Sequence, residues 1–341
     1  MLGRVRAALL VPLVVVLSAA GCSAKKAPPR ATGTTAAPTT TTVPALFPLT
    51  GLPVADPALA GRPALAVKID NIAAARPQAG LDVADVIYEE LAEGGLTRFI
   101  AVFHSTDAPS VGPVRSVRPS DPDIVAPLDP LFAYSGGAPA VVSLLPGARL
   151  TNVGVDAVPQ AYARRSDRRS PQNLYSTTAK LYAGAPASAV STPPPALGPF
   201  AAAGQAFTGA GAAPATGLTL AAGPTVRAVY AWDAGSGSWR RSTDGSPHLL
   251  EGGAQLAPTN VVVQFTPYSA FPADSKVSVA EVVGSGDAWV LAGGMVVKGR
   301  WSKSSPDAVT TYTDSAGAPI ALLPGRTLVH LVRPGSAAST T

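Results

Sequence analysis

The side chains able to do chemistry in this 341-residue chain are concentrated in one stretch. Asp70, Asp85, Glu89, Glu90 and Glu93 fall within 24 consecutive positions, and Arg98, Arg115 and Arg118 follow closely. Charge is scarce elsewhere, since Asp, Glu, Lys and Arg make up only 14% of the chain. A guanidinium is the group suited to planar, two-pronged capture of a carboxylate or phosphate. Three of them near Glu93-Gly94-Gly95 could hold an anionic group, with backbone N–H approaching it at Gly94, Gly95 and Gly112. Tyr88 and Gln78 could add neutral hydrogen bonds, and Asn71 an amide. The expected ligand-binding set is therefore Asp70, Asn71, Tyr88, Glu89, Glu93, Arg98, Arg115 and Arg118. The same acids and arginines could instead pair with one another, a network that costs desolvation but fixes register.

Paired carboxylates also raise glycoside or peptide hydrolysis, in which an acid and a base or nucleophile flank one bond. Asp70 with Glu93, or with Glu89, could serve, although aromatic residues for stacking sugars are only 6% of the chain. Other catalytic classes have less to stand on. His104, His248 and His330 lie far apart without metal-ligand spacing, so no metal site and no cofactor is expected and each reads as an ordinary strand residue. Ser116 lacks a nucleophile-elbow motif. The single cysteine, Cys22, sits in a different context altogether.

These residues need elements to position them. Ala64–Asp70 reads as a buried strand. Val86–Ala92 and Leu96–His104 flank Glu93-Gly94-Gly95 as a hairpin, because glycine supplies positive φ. Alternation then sends Arg98 with Ile100 and Val102 to one face, and Phe99 with Ala101 and Phe103 to the other. A helix over Asp82–Leu91 is an alternative. Asp121–Leu128 and Pro139–Leu145 are short helix candidates around a strand at Leu131–Ser135. The Ala/Pro/Gly-rich residues 184–224 read as a connection. Beyond them Arg227–Trp232, Val261–Thr266, Lys276–Val283, Trp289–Leu291, Met295–Trp301, Ile320–Leu323 and Thr327–Val332 are strand-like. Trp289 and Trp301 are expected as a cross-strand core pair. Arg164, Arg165, Arg168 and Arg169 read as a solvated loop, or as a contact for anionic lipid or wall polymer.

Residues 1–22 have the form of an export signal: Arg4 and Arg6 precede an apolar run too short to span a bilayer as a helix. The run ends in Leu17-Ser18-Ala19-Ala20-Gly21-Cys22, which looks like a bacterial lipobox. That implies acylation of Cys22, palmitate among the chains, and an anchor on the outer face of the cell membrane. The Pro/Thr-rich residues 23–47 have little to bury and read as a disordered tether. The formal charge of +5 comes from the N-terminal segments, because from Leu49 onward basic and acidic residues balance at 21 each. A neutral body without a cationic stripe argues against nucleic-acid binding.

Several runs together resemble the YerB-like family of bacterial lipoproteins, whose biochemical role is not established. They include Pro48-Leu49-Thr50-Gly51-Leu52, Val67-Lys68-Ile69-Asp70-Asn71, Ala84-Asp85-Val86-Ile87-Tyr88-Glu89 and Glu93-Gly94-Gly95-Leu96-Thr97-Arg98-Phe99. Gly112-Pro113-Val114-Arg115-Ser116-Val117-Arg118-Pro119, Asn173-Leu174-Tyr175, Lys298-Gly299-Arg300-Trp301-Ser302-Lys303 and Leu323-Pro324-Gly325-Arg326-Thr327 extend the likeness. The resemblance implies a two-domain envelope protein and supplies no reaction. The expected fold is α+β: a mixed domain at 48–183, the connection at 184–224, an antiparallel β domain at 225–333 and a disordered tail at 334–341. The expected role is binding of an anionic wall component or an envelope protein partner, with wall hydrolysis as the alternative.

Overall fold

The computed structural model describes residues 45–189 and 192–341, so the signal, Cys22 and nearly all of the expected tether lie outside the described residues. Among the described residues strands dominate, and the longest helix, Thr178–Ala183, has 6 residues. Frequent Pro and Gly explain this, since each interrupts a helix within a few turns.

Five strands form the middle of the main sheet. They are β1 (Leu65–Asp70), β2 (Val86–Leu91), β3 (Thr97–Phe103), β4 (Asn260–Phe265) and β5 (Thr327–Val332). Their order across the sheet is β4-β5-β2-β3-β1. β5 lies parallel to both of its neighbours, whereas β2–β3 and β3–β1 are antiparallel. The sheet continues beyond β4 through Gly284–Ala292, Met295–Lys303 and Thr311–Thr313, and beyond β1 through Leu131–Ala133 and Thr151–Asn152, reaching 11 strands with Ala213–Pro214. A second sheet has 5 strands in the order Ser246–Pro247, Ser238–Thr243, Val226–Asp233, Gly217–Gly223 and Ala338–Thr340.

The hairpin is formed as the alternation requires. Gly94 (φ 69°) and Gly95 (φ 76°) turn the chain between β2 and β3, in a region where a Cβ is strained. Asp82–Leu91 is therefore not helical. Ile100 and Val102 enter one apolar cluster with Ala66, Val86, Val262 and Val329. Phe99, Ala101 and Phe103 enter a cluster on the opposite face with Leu65, Val67 and Leu328. A third cluster joins the second sheet, through Leu220, Tyr230 and Trp239, to Val261, Val263 and Leu291 of the main sheet.

Several expectations need correction. Strands from both sides of 184–224 share one sheet within a single compact unit, so the expected mixed and β parts are joined in one core. The supposed connection itself contains the strands Ala213–Pro214 and Gly217–Gly223. The supposed tail contains Ala338–Thr340, paired with Gly217–Gly223. Phe47, placed in the tether, is buried with its ring 5.6 Å from that of His104. Ile320–Leu323 is not a strand; Leu322 makes a lone bridge to Phe200. Trp289 and Trp301 are not partners, because the register sets Trp289 opposite Lys298 and Trp301 opposite Gly286. Trp289 instead meets Phe265, with ring centroids 5.7 Å apart, while Trp301 is buried and donates its indole N–H to the Phe265 carbonyl at 3.0 Å.

Candidate functional site

The charged residues of the first half do not form one cluster. The pleat divides them between the two faces of the main sheet. Asp70, Glu90 and Arg98 share a face, because Arg98 is the cross-strand partner of both Asp70 and Glu90. Glu89 faces the other way with its partner Phe99.

On the first face Asp70 is fully buried between two guanidinium groups. Arg98 Nη1 lies 3.0 Å from Oδ1, and Arg115 Nε lies 3.0 Å from Oδ2. The Ile72 N–H donates to Oδ1 at 3.2 Å, and Gln172 Nε2 donates to Oδ2 at 3.2 Å. Arg115 reaches this point because Pro113–Arg115 runs along the free half of β1: Asp70 N–H donates to the Pro113 carbonyl and Arg115 N–H to the Lys68 carbonyl. Arg118 grips Glu93 with Nε at 3.0 Å and Nη2 at 2.6 Å, and its Nη1 donates to the carbonyls of Ser116 and Val117. Every nitrogen of the Arg118 guanidinium thus has an acceptor. The same is not true of Arg98 and Arg115. Their contacts with Asp70 are close but poorly aligned for hydrogen bonding, and both Nε atoms are buried without a hydrogen-bond partner. Burial lowers the Arg98 pKa, Asp70 offsets part of that, and the neighbouring cations Arg118 and Arg115 lower it further.

Beneath this cluster Lys68 is buried between Glu90 and Asp121, the latter at 2.6 Å. Two carboxylates around one ammonium cannot both ionise cheaply. Burial, with the Glu90 charge adding to it, pushes the Asp121 carboxyl well above its usual range, despite Lys68. Burial would raise the Glu90 pKa, but the charge of Lys68 and hydrogen bonds from Asp121 and Lys68 together hold it below its usual range.

The opposite face carries a second network. Arg241, from the strand Ser238–Thr243, grips Glu89 with Nη1 at 2.6 Å and Nη2 at 3.0 Å. Asn71 Nδ2 at 3.0 Å and the Thr97 hydroxyl at 2.7 Å also donate to Glu89, and His330 Nδ1 lies 2.9 Å away. Burial alone would raise the Glu89 pKa, but Arg241 and then His330 hold it well below the carboxylate range. A relay leads outward from Arg241, whose Nε donates to Thr243 Oγ1 at 3.0 Å. The Thr243 hydroxyl then donates to His248 Nδ1 (2.8 Å) and His248 Nε2 to Gln78 Oε1 (3.0 Å), while Gln78 Nε2 donates to the Asp70 carbonyl (3.0 Å). This requires neutral His248 protonated on Nε2, and burial followed by the charges of Arg241 and Arg76 does keep its pKa well below normal. The relay binds the second sheet to the end of β1.

The expected set is thus distributed. Asp70, Arg98 and Arg115 meet directly, and Arg118 with Glu93 form an adjoining pair. Glu89 and Asn71 belong to the other face. Tyr88 is apart from both groups, lining a small cavity with Tyr312 and Lys303, and burial pushes its hydroxyl up to about 12. Asp70 has no exposed side-chain surface, and a general acid or base must reach the bond it acts on. Asp70 therefore cannot serve as half of a hydrolytic pair, and Glu89, buried and saturated by donors, cannot replace it.

The sequence reading missed Lys68, Asp121, Tyr230, Arg241, His248 and His330 as network members. Signals existed. Lys68 interrupts the apolar run Leu65–Ile69, and a lysine there must find a buried acid. Ser238-Trp239-Arg240-Arg241-Ser242-Thr243 alternates so that Trp239, Arg241 and Thr243 share one face. What no local pattern reveals is the acid, 152 residues away in sequence, that Arg241 meets.

The architecture defines a class: a strand-rich, single-unit protein whose two sequence halves share a sheet. Residues 49–191 match the model described as "Protein of unknown function (DUF3048) N-terminal domain", and residues 218–329 match the corresponding C-terminal domain. The protein named "Putative lipoprotein YerB" of Bacillus subtilis (strain 168) is 38% identical over 131 residues, a match covering 38% of this chain and 39% of that one. The crystal structure of YerB protein from Bacillus subtilis superposes with a TM-score of 0.73 at 23% identity, covering 86% of this chain and 99% of that chain. The chain belongs to the YerB-like, two-part family of unknown function.

Proposed function

We propose that this is an envelope lipoprotein, tethered through acylated Cys22, whose body binds an anionic wall component and performs no catalysis. One observation carries the binding reading. Three guanidinium groups (Arg98, Arg115, Arg118) face only two carboxylates (Asp70, Glu93), and the donors of Arg98 and Arg115 are incompletely used. Arg115 meets Asp70 through Nε, which leaves its outer nitrogens to take an incoming phosphate or carboxylate oxygen. The Arg115 side chain, 21% exposed, gives solvent access to the pair. The relative YerB, itself named a lipoprotein, together with the Leu17–Cys22 motif supports the anchor.

Calorimetric titration with inorganic phosphate at low ionic strength tests the site. Arg115→Ala should weaken binding about tenfold, equivalent to about 1.4 kcal/mol. Unchanged affinity in a folded Arg115→Ala protein would refute the assignment. Cys22→Ser should shift the protein from the membrane to the soluble fraction; retention in the membrane would refute the lipid tether.

A further inference from the structure

The loop that supplies Gln172 to Asp70 also carries Arg164, Arg165, Arg168 and Arg169. It is fastened beside β1, with Arg168 donating to the Ala75 carbonyl at 2.6 Å and to the Pro77 carbonyl at 3.3 Å. Arg165 of this loop lines an open groove of about 700 Å³ together with Arg76, which pairs with Asp244 at 3.4 Å, and with His248, Leu249 and Glu251. Arg165 lies over the Tyr175 ring at 4.6 Å and bridges Asp167 (2.5 Å) and Glu251 (2.6 Å). Two buried polar atoms in this region, Arg76 Nε and Tyr175 Oη, have no hydrogen-bond partner, and Tyr175 is only 3% exposed. Arg76, Arg164, Arg165, Arg168 and Arg169 outnumber the local acids Asp167, Asp244 and Glu251, a local cationic excess in a body whose charges balance as a whole. His248 adds no negative charge. Gln172 lies four positions after Arg168, so their backbones are at most about 14 Å apart.

We propose that this groove is a second anion station adjoining the Arg98–Arg115 site, so that the ligand is a linear polyanion gripped at both stations. The inference rests on the anion-binding reading above and goes further in naming the ligand class: a polymer whose anionic groups recur at short intervals. Holding one anionic group at the first station raises the effective concentration of its neighbours at the second, which makes affinity depend on length.

Titration with inorganic phosphate and with linear polyphosphate chains of increasing length separates the two ideas. Affinity for the wild type should rise about a hundredfold once a chain spans both stations. Arg164 and Arg169 are exposed, so the double variant Arg164→Glu/Arg169→Glu keeps the fold. It should abolish most of that gain while leaving the affinity for inorganic phosphate and the thermal midpoint unchanged. If phosphate binds but chain length confers no gain, or the double variant retains the full gain, the second station is refuted and the single-site reading stands alone. If inorganic phosphate fails to bind, both readings fall.

Discussion

Glu89 is the residue on which the two sheets converge, and its ionisation should govern stability in acid. Its pKa in the fold lies below the ordinary value of 4.5, so the charged form is favoured by folding. That stabilisation is complete above the ordinary value and is lost as pH falls through the depressed one. Glu89→Gln leaves Arg241 buried without its partner, which should cost about 3–5 kcal/mol near neutral pH. Urea unfolding should show the gap between wild type and variant narrowing below pH 4.5; a gap that stays constant would contradict the assignment. The individual charged residues were legible in the sequence, but their partners were not. Alternation correctly put Arg98 with Ile100 and Val102, yet the same rule applied one strand over separates Glu89 from Glu90. Proximity in sequence made them look like one site, whereas the period-two pleat makes them two.

At the scale of elements, the hairpin at Glu93–Gly95 and the strand Thr327–Val332 were readable, because glycine positions and a continuous apolar run each carry a local cause. The strand Ser238–Thr243 escaped notice, since Arg240 and Arg241 give it a polar appearance. The pairing of Trp289 with Trp301 failed because register is fixed by the turn: with Met295 opposite Ala292, Trp301 lands opposite Gly286. That glycine is needed, for a Cβ there would come within 2.6 Å of the Trp301 indole nitrogen. Gly299 is under a stronger constraint of the same kind, with a hypothetical Cβ at 1.9 Å from the Thr313 carbonyl oxygen. Gly299→Ala should displace the edge strand Thr311–Thr313 and destabilise by about 1–3 kcal/mol in denaturant unfolding. A value near zero would mean that this edge is free to move away.

At the scale of the whole molecule, the sequence suggested two domains because composition changes at 184–224. The structure joins the halves through β5, which lies between β4 and β2 and is buried along its whole length. Parallel pairing between distant segments leaves no short-range mark, so this step was invisible in the sequence. Calorimetry should accordingly show a single unfolding transition, and a fragment ending near residue 190 should fail to fold. Two resolved transitions, or a folded fragment, would contradict the shared sheet.

The position of β5 has a further consequence for how the protein comes into being. Its central plank is made after both of its neighbours, so β2 and β4 each wait with an open flank until it emerges. A nascent or clipped polypeptide lacking β5 has no native half to retreat to. Quality control would meet either the complete article or an unfolded one, with nothing functional in between.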